Sequence, residues 1–321
     1  MPAAAPDAQA GVPLWVRLPN WVGDVCMALP ALRALAACGA APRPVGRGWA
    51  ADLLAGHGWT VTALPRGLRA GAAALRAAGG PARGLLLTNS LSSAATFRLA
   101  GVSALGHRAD GRSWLLGRGI AKPPSGHEVE AFWRLGAETA AWLGLRGWPA
   151  VPPASLGLVL AERHRAAADE ALAAAGLAGA RVAVVAPLAA GSAGGVPKTW
   201  PGFAELDDAL RARGLATVVC PGPGEDAAAR AAVPGATVLP GLGLGAYAAV
   251  CGRAAITVAN DSGPMHLAAA VDAPVLGVFG PSDPARTRPW GPRAAWIGGG
   301  DWPSPDAVLE AALRVMDASP A

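Results

Sequence analysis

Short apolar runs alternate with longer Ala/Leu/Arg stretches along the whole chain of 321 residues. Runs closed by glycine or polar positions read as buried strands, and apolar residues recurring at helical spacing between them read as helices. "LWVRL" (14–18) predicts a first strand and "VCMALPALRALAAC" (25–38) the helix after it. "GLLLTNS" (84–90) predicts a buried strand ending in polar residues, followed by a helix through "SAATFRLAG". Around 146–164 the text becomes "RGWPAVPPASLGLVLAERH", where Pro149, Pro152 and Pro153 push the residues before them towards extended conformations, as an interdomain linker would.

A second series of the same kind follows. Helices are predicted at 161–176, 201–213, 225–232 and 264–271, with strands at 181–187, 216–222, 254–260 and 273–280. Strand and helix in alternation predict an α/β protein with parallel sheets, and the length suits two domains of about 150 residues each. The division expected is a first lobe over 1–155, a second over 156–305 and a terminal helix in 306–321. That helix, "DAVLEAALRVMDA", carries an apolar stripe at Val308, Leu309, Leu313 and Met316 and is expected to pack across both lobes.

Composition narrows the class. Hydrophobic residues make up 52% and charged ones 15%, well under the roughly 25% charge of an average globular chain. Basic residues outnumber acidic ones 27 to 22, and only two are lysines, Lys122 and Lys198. No block of consecutive basic residues marks a nucleic-acid tract, so no nucleic-acid partner is expected. Cys26, Cys38, Cys220 and Cys251 are widely spaced among apolar neighbours and read as reduced core thiols of a cytoplasmic protein. "MPAAAPDAQAGVPL" has no basic region followed by an apolar core; it reads as a loose tail and not as a signal peptide. From Ala231 to Gly252 no charge occurs for 22 residues, but Pro234, Pro240 and the glycines of "GLGLG" break that run into a strand, a loop and a short helix, not a membrane span.

Three junctions carry candidate chemistry, because ligands of parallel sheets collect at the carboxyl ends of strands. "VANDSGPMHLAAA" (258–270) joins a strand to a helix with Pro264 in its first turn. Ser262, Gly263 and the amides after them can face a phosphate, while Asp261 can accept from sugar hydroxyls; a simple helix cap explains the same residues. His266, one turn on, equally reads as a packing histidine. Lys198 follows the glycine-rich "AAGSAGG" and precedes a helix opened by Pro201, a place where an ammonium neutralises a diphosphate or merely sits in solvent. Asp24, between a glycine and the first helix, can take a proton from a hydroxyl, or serve only as a cap; the helix terminus favours its ionised form and so weakens it as a base. No dinucleotide fingerprint, P-loop or nucleophile elbow is present, and the five histidines lack metal-ligand spacing, so no metal site and no cofactor is expected.

In order along the chain, "RLPNWVGDVCMALPALRAL", "LLLTNSLSSAATFRLAGVSALGHRADGRSWLL", "HEVEAFWRLGA", "PKTWPGFAEL" and "NDSGPMHLAAAVDAPVLGVFGPSDPARTRPWGP" resemble the ADP-heptose:lipopolysaccharide heptosyltransferase family. "NWVGD" and "GPSDPARTRPWG" are more similar to its heptosyltransferase II branch than to heptosyltransferase I. The resemblance implies a GT-B fold, two Rossmann-like lobes facing a central cleft. It implies metal-independent transfer of heptose from ADP-L-glycero-D-manno-heptose to the lipid A inner core of lipopolysaccharide, with inversion. Asp24 matches the catalytic base, and Lys198, Asp261, Ser262, Gly263 and His266 match donor contacts.

Two segments depart from the family pattern. "PLAAGSAGGVPK" lacks a bulkier donor-facing residue, for which Ser192 is the substitute, and "LPGLGLGAYAAV" lacks a hydroxyl after its glycine. Both leave room for another nucleotide sugar or acceptor, and an inactive nucleotide-sugar-binding protein or an epimerase of similar architecture are the rival readings. Acceptor contacts are expected from Asn20, Asn89 and Ser90 and, for a phosphorylated acceptor, from Arg98, Arg108 and Arg112. A lipid-anchored acceptor implies peripheral contact at the inner face of the inner membrane, with no obligate protein partner.

Overall fold

The computed structural model describes residues 11–318. The segment read as a loose tail lies, up to residue 10, outside the described residues. The first lobe runs β1 (Val12–Arg17), α1 (Val22–Ala37), β2 (Ala40–Gly46), α2 (Ala50–Leu53), β3 (Thr62–Ala63) and α3 (Leu68–Ala77). It continues with β4 (Arg83–Leu86), α4 (Leu91–Leu99), β5 (Ser103–Arg108), β6 (Arg118–Ala121) and α5 (Glu128–Leu143). After an irregular segment come α6 (Glu162–Ala174), β7 (Val182–Ala186), the hairpin strands β8 (Ser192–Ala193) and β9 (Val196–Pro197), α7 (Phe203–Arg211) and β10 (Ala216–Val219). The remainder is α8 (Asp226–Ala232), β11 (Thr237–Val238), α9 (Leu244–Arg253), β12 (Ile256–Asn260), α10 (Gly263–Ala270), β13 (Val275–Phe279), α11 (Pro284–Thr287), β14 (Ala294–Gly298) and α12 (Pro305–Asp317).

Two six-stranded sheets result, ordered β3-β2-β1-β4-β5-β6 and β11-β10-β7-β12-β13-β14. Every pairing within them is parallel. In each sheet the chain leaves the first strand towards one side and later returns on its other side, so strand order reverses between β1 and β4 and between β7 and β12. Such reversals open a crevice at the carboxyl ends, because the helices on either side diverge to opposite faces.

The sequence pattern explains the layering. α1 is apolar all round, as a helix enclosed on every side must be. It is buried from Val25 to Leu32 and lies between the first sheet and the second lobe, against α5 on one flank and α10 on another. One apolar cluster therefore continues from Leu14 and Val16 through Leu29 and Met265 to Val184, without a polar break between lobes. Amphipathic α3 and α4 cover the outer face of the first sheet, with Phe97 and Leu75 at its centre. α7 and α12 cover the outer face of the second, around Trp200, Phe203 and Val308. α12 thus corrects the expected crossing between lobes: Val308, Leu309 and Ala312 are buried with second-lobe residues only, because its stripe fits the exposed face of β12 to β14.

β2 escaped the sequence pattern because it reads "AAPRPVG". The Gly39 and Val45 carbonyls accept from the Val12 and Leu18 amides, so odd positions face β1 and Pro42 and Pro44 face the other way. There β3 pairs only with Val45 and Gly46, and the missing proline N–H groups leave no ladder bond unmade.

Candidate active site in the interlobe cleft

The segment after β1 turns at Trp21, which occupies the cap position of α1 without a side-chain cap. α1 begins three residues earlier than the sequence pattern indicated, so Asp24 lies inside the first helical turn and is not the cap. Its side chain lines a cleft of about 320 Å³ together with Asn20, Asn89, Ser90 and Lys122, and Thr287 of the second lobe closes one side. The expected acceptor residues Asn20, Asn89 and Ser90 therefore meet Asp24 at the β1/β4 crevice. Ser90 also caps α4, accepting from the Ser93 amide at 3.3 Å.

Arg98, Arg108 and Arg112 do not join that wall. Arg98 and Arg108 are exposed, Arg98 beside a separate hollow with Trp114. Arg112 is fully buried: its Nε donates to the His107 carbonyl at 3.0 Å and its Nη1 to the Thr88 carbonyl at 2.6 Å, with a 3.5 Å contact to Asn89 Oδ1. Burial lowers its pKa to about 10, against the opposing charge of Asp110, so it stays a cation that braces the loop carrying Asn89 from behind. A lone arginine in sequence carries no mark of such burial.

The second lobe presents its own crevice, between β7 and β12. Asn260, at the end of β12, accepts from the Trp200 amide at 2.9 Å and donates to the Pro187 carbonyl at 2.8 Å, tying together the two strand ends and the loop before α7. On that frame Lys198 Nζ meets Asp261 Oδ2 at 2.7 Å, largely out of solvent. Ser262 stands at the cap of α10, but its Oγ turns back to the Asn260 carbonyl, so no side chain caps the first-turn amides from Gly263 onward. Ser192 sits exposed on the β8/β9 hairpin, paired with Pro197 across a turn at Gly194 and Gly195, whose positive φ values of 57° and 82° suit such a hairpin. The hairpin takes up the glycine-rich stretch that precedes Lys198.

The two crevices face each other. Gly263 and Val22, from the first turns of α10 and α1, approach so that a Cβ on the glycine would lie 3.4 Å from Val22 Cβ. His266 is buried with its ring against Gly23, where an added Cβ would come within 2.5 Å of the His266 Cδ2. Burial lowers its pKa to about 4, against the raising charge of Asp261, so the ring is neutral at physiological pH. Its place is packing between lobes. Asp24 lies in the electrostatic field of both lobes: burial first, then Glu128 and Asp261, raise its pKa, while Lys122 and Lys198 lower it, leaving a value of about 6. Burial therefore outweighs the helix-terminus effect that the sequence alone suggested would keep this acid strongly ionised.

Several further side chains stand at the cleft, and two of them have partners in the other lobe, which no local pattern announces. Lys122 Nζ pairs with Glu128 Oε1 at 3.0 Å, and Arg286 of the second lobe reaches the same carboxylate. Burial raises the Glu128 carboxyl, but the hydrogen bonds and charges of Lys122 and Arg286 prevail and hold it below its ordinary value. His127 Nε2 bonds the Arg288 carbonyl at 2.8 Å while its Nδ1 accepts from the Val129 amide, which fixes the tautomer and adds a second tie between the lobes. His107, buried on the cleft wall, has its pKa lowered to about 4 by burial and then by Lys122 and Arg112. Glu225 lines a small hollow after β10 with Tyr247 and Pro264, the position from which an acid accepts ribose hydroxyls in such lobes. Among the described residues no three His, Cys, Asp or Glu side chains converge as a metal cluster, and no helix is long and apolar enough to cross a membrane.

Two Rossmann-like lobes with crevices opposed across one cleft define a GT-B type α/β protein. The family model described as glycosyltransferase family 9 (heptosyltransferase) matches residues 78–315, and the chain belongs to that family. Lipopolysaccharide heptosyltransferase 3 of Escherichia coli is 32% identical over 113 residues, 31% of this chain and 32% of that protein. The matched stretches thus span about a third or less of the length of the curated relatives. E. coli ADP-heptose lipopolysaccharide heptosyltransferase II superposes with a TM-score of 0.76 at 25% identity, covering 94% of this chain and 98% of that one. E. coli heptosyltransferase WaaC with ADP shares the fold, with a TM-score of 0.74 at 22% identity over 94% of this chain and 99% of that one.

Proposed function

We propose that this protein is an inverting, metal-independent heptosyltransferase that moves heptose from ADP-L-glycero-D-manno-heptose to the inner core of lipopolysaccharide. The observation that carries this reading is Asp24: an acid of the first lobe, on the cleft wall, in the field of the Lys198–Asp261 pair of the second. In the reaction an acceptor hydroxyl oxygen attacks the anomeric carbon from the face opposite the diphosphate. The bond from that carbon to the phosphate oxygen breaks, its electron pair leaves with ADP, and the hydroxyl proton passes to Asp24. A carboxyl poised near pH 6 is ionised at neutral pH yet basic enough to take a proton as the new bond forms.

Lys198 and the uncapped amides of α10 take up the charge that develops on the departing diphosphate, which is the role a metal plays in other transferases. Asp261 positions the Lys198 ammonium and accepts from sugar hydroxyls, and Glu225 accepts from the ribose. The ADP held by WaaC and the deoxyfluoro ADP-heptose held by the same enzyme support an ADP-linked donor here. Acceptor specificity falls to Asn20, Asn89 and Ser90 with Lys122 beside them. On this reading the transfer takes place at the cytoplasmic side of the membrane that carries the acceptor.

The test is direct. Incubation with ADP-heptose and heptose-deficient lipopolysaccharide should add one heptose per acceptor, with the anomeric configuration inverted in the product's NMR spectrum and a rate indifferent to EDTA. Retention of configuration, or turnover only with a UDP- or GDP-sugar, would overturn the reading in favour of another mechanism or another donor.

A further inference from the structure

α9 begins without a cap of its own. Its cap position is Gly243, in the "GLGLG" stretch that departs from the family pattern by lacking a hydroxyl, and Gly243 has no side chain to offer the first-turn amides. The acceptor comes from the other lobe. Asp52, in the short helix α2, accepts from the Gly245 amide on Oδ2 at 3.0 Å and from His164 Nε2 on Oδ1 at 3.2 Å. His164 is buried in the first turn of α6, and its Nδ1 accepts from the Ala161 amide at 3.3 Å, which puts the ring proton on Nε2, facing the carboxylate. One first-lobe carboxylate thus spans the starts of two packed second-lobe helices, where an anion also suits their dipoles.

The glycines make room for it. A Cβ on Gly243 would lie 2.7 Å from Asp52 Oδ2, and one on Gly245 would strike the His164 ring. Gly243 has φ −66° and ψ 161°, which any residue adopts, so this glycine serves space and not backbone freedom. Nor is the contact a single side chain: His57, five residues after Asp52, accepts on Nε2 from the Val159 amide at 3.2 Å.

The same first turn of α9 builds the donor side. Tyr247, two residues beyond the tied amide, lines the small hollow with Glu225 and Pro264, and Pro264 opens the helix whose amides face the diphosphate. The Tyr247 amide also closes the first bond of the helix, to the Gly243 carbonyl at 2.9 Å. Uncapped first turns fray most readily, and fraying here would carry Tyr247 out of the hollow's wall. Fixing Gly245 fixes Tyr247.

We propose that Asp52 is a positioning residue for the nucleotide sugar: it caps α9 from the opposite lobe and so holds the hollow of Tyr247 and Glu225 in its binding shape while the lobes are together. Lobe contact and donor affinity are then linked through one carboxylate, and the cap missing from "GLGLG" is supplied in space by another part of the chain. The inference rests on the proposed ADP-linked donor, and ADP is its probe.

ADP is titrated by calorimetry into the full chain, wild type and variants, and amide exchange is followed over 243–249. Asp52→Ala should weaken ADP binding about three- to thirty-fold, the range that loss of one helix cap carries, and speed exchange at Gly245. The Asp52 side chain is 37% exposed, so its truncation opens no cavity, and melts followed by circular dichroism report the fold of each variant. Asp52→Asn keeps a carbonyl oxygen for the Gly245 amide and should stay within about three-fold of wild type. Asp52→Ala/Gly243→Ser places a hydroxyl at the cap position, in the space the carboxylate leaves, and should recover most of the affinity and the exchange protection. Recovery by either rescue supports the proposal. ADP binding by Asp52→Ala equal to that of wild type would overturn it, whatever happens to Tm, since the contact would then only join the lobes. A loss shared in full by Asp52→Asn and by the serine variant would overturn it as well, because capping would not be the cause. Both of those results leave the ADP-donor reading standing, whereas a wild type that binds no ADP overturns that reading and this inference together.

Discussion

Asp24→Asn separates chemistry from stability. The carboxyl titrates near pH 6 in the folded chain against an ordinary value of 3.8, about two units apart. At 1.36 kcal/mol per unit, ionised Asp24 costs the native state about 3 kcal/mol. The sign follows from proton binding: between about pH 4 and 6 the folded state holds a proton that the unfolded state has released, so stability falls as pH rises through that window. Asparagine keeps the shape and removes the charge. It should therefore stabilise the protein above pH 6 by 1–3 kcal/mol, about 5 °C in Tm, with the gain disappearing below about pH 4. The same variant should lose about 10²–10⁴ in kcat/KM, and the wild-type profile should rise with pH to a plateau above an inflection near 6. Melts from pH 4 to 8 with matched rate profiles decide the matter. A variant no more stable than wild type at pH 8, or a wild-type inflection near 4, refutes the claim that burial sets this acid.

Other substitutions probe the frame around it. Lys198→Met should weaken ADP binding by calorimetry about ten- to a hundred-fold and lower Tm, since Asp261 is left buried without its cation. Gly23→Ala places a methyl 2.5 Å from the buried His266 ring and should cost about 1–3 kcal/mol in urea unfolding and slow transfer. Arg112→Met leaves the carbonyls of Thr88 and His107 without a donor and should cost about 3 kcal/mol or more, with the Asn89 loop becoming sensitive to proteolysis.

Legibility in the sequence followed locality. The strand ends at 186 and 260, the turn of Asp261 to Gly263 and the long helix after β1 are set by neighbours a few residues away, and pattern alone places them within a few positions. The prolines of β2 hid a strand because their tolerance depends on how short its outer neighbour is, a fact of the sheet and not of the segment. Arg112 was expected at the acceptor because nothing local announces a guanidinium buried against the Thr88 carbonyl, 24 residues away. Lys122, Glu128 and Arg286 were invisible for the same reason: the last two meet only when the lobes do. The direction of the Asp24 shift was misjudged because a helix terminus can be read from sequence, while the burial opposing it cannot.

The central claim is that one lobe's acid confronts the pyrophosphate held by the other. A crystal structure with an intact, non-transferable ADP-sugar bound tests it most directly. The account predicts the diphosphate at Lys198 and the amides of α10, with Asp24 on the open side of the anomeric carbon, leaving room for one hydroxyl oxygen about 3–3.5 Å from that carbon. A diphosphate seated away from Lys198, or an Asp24 carboxyl turned from the sugar with the lobes closed, would contradict it.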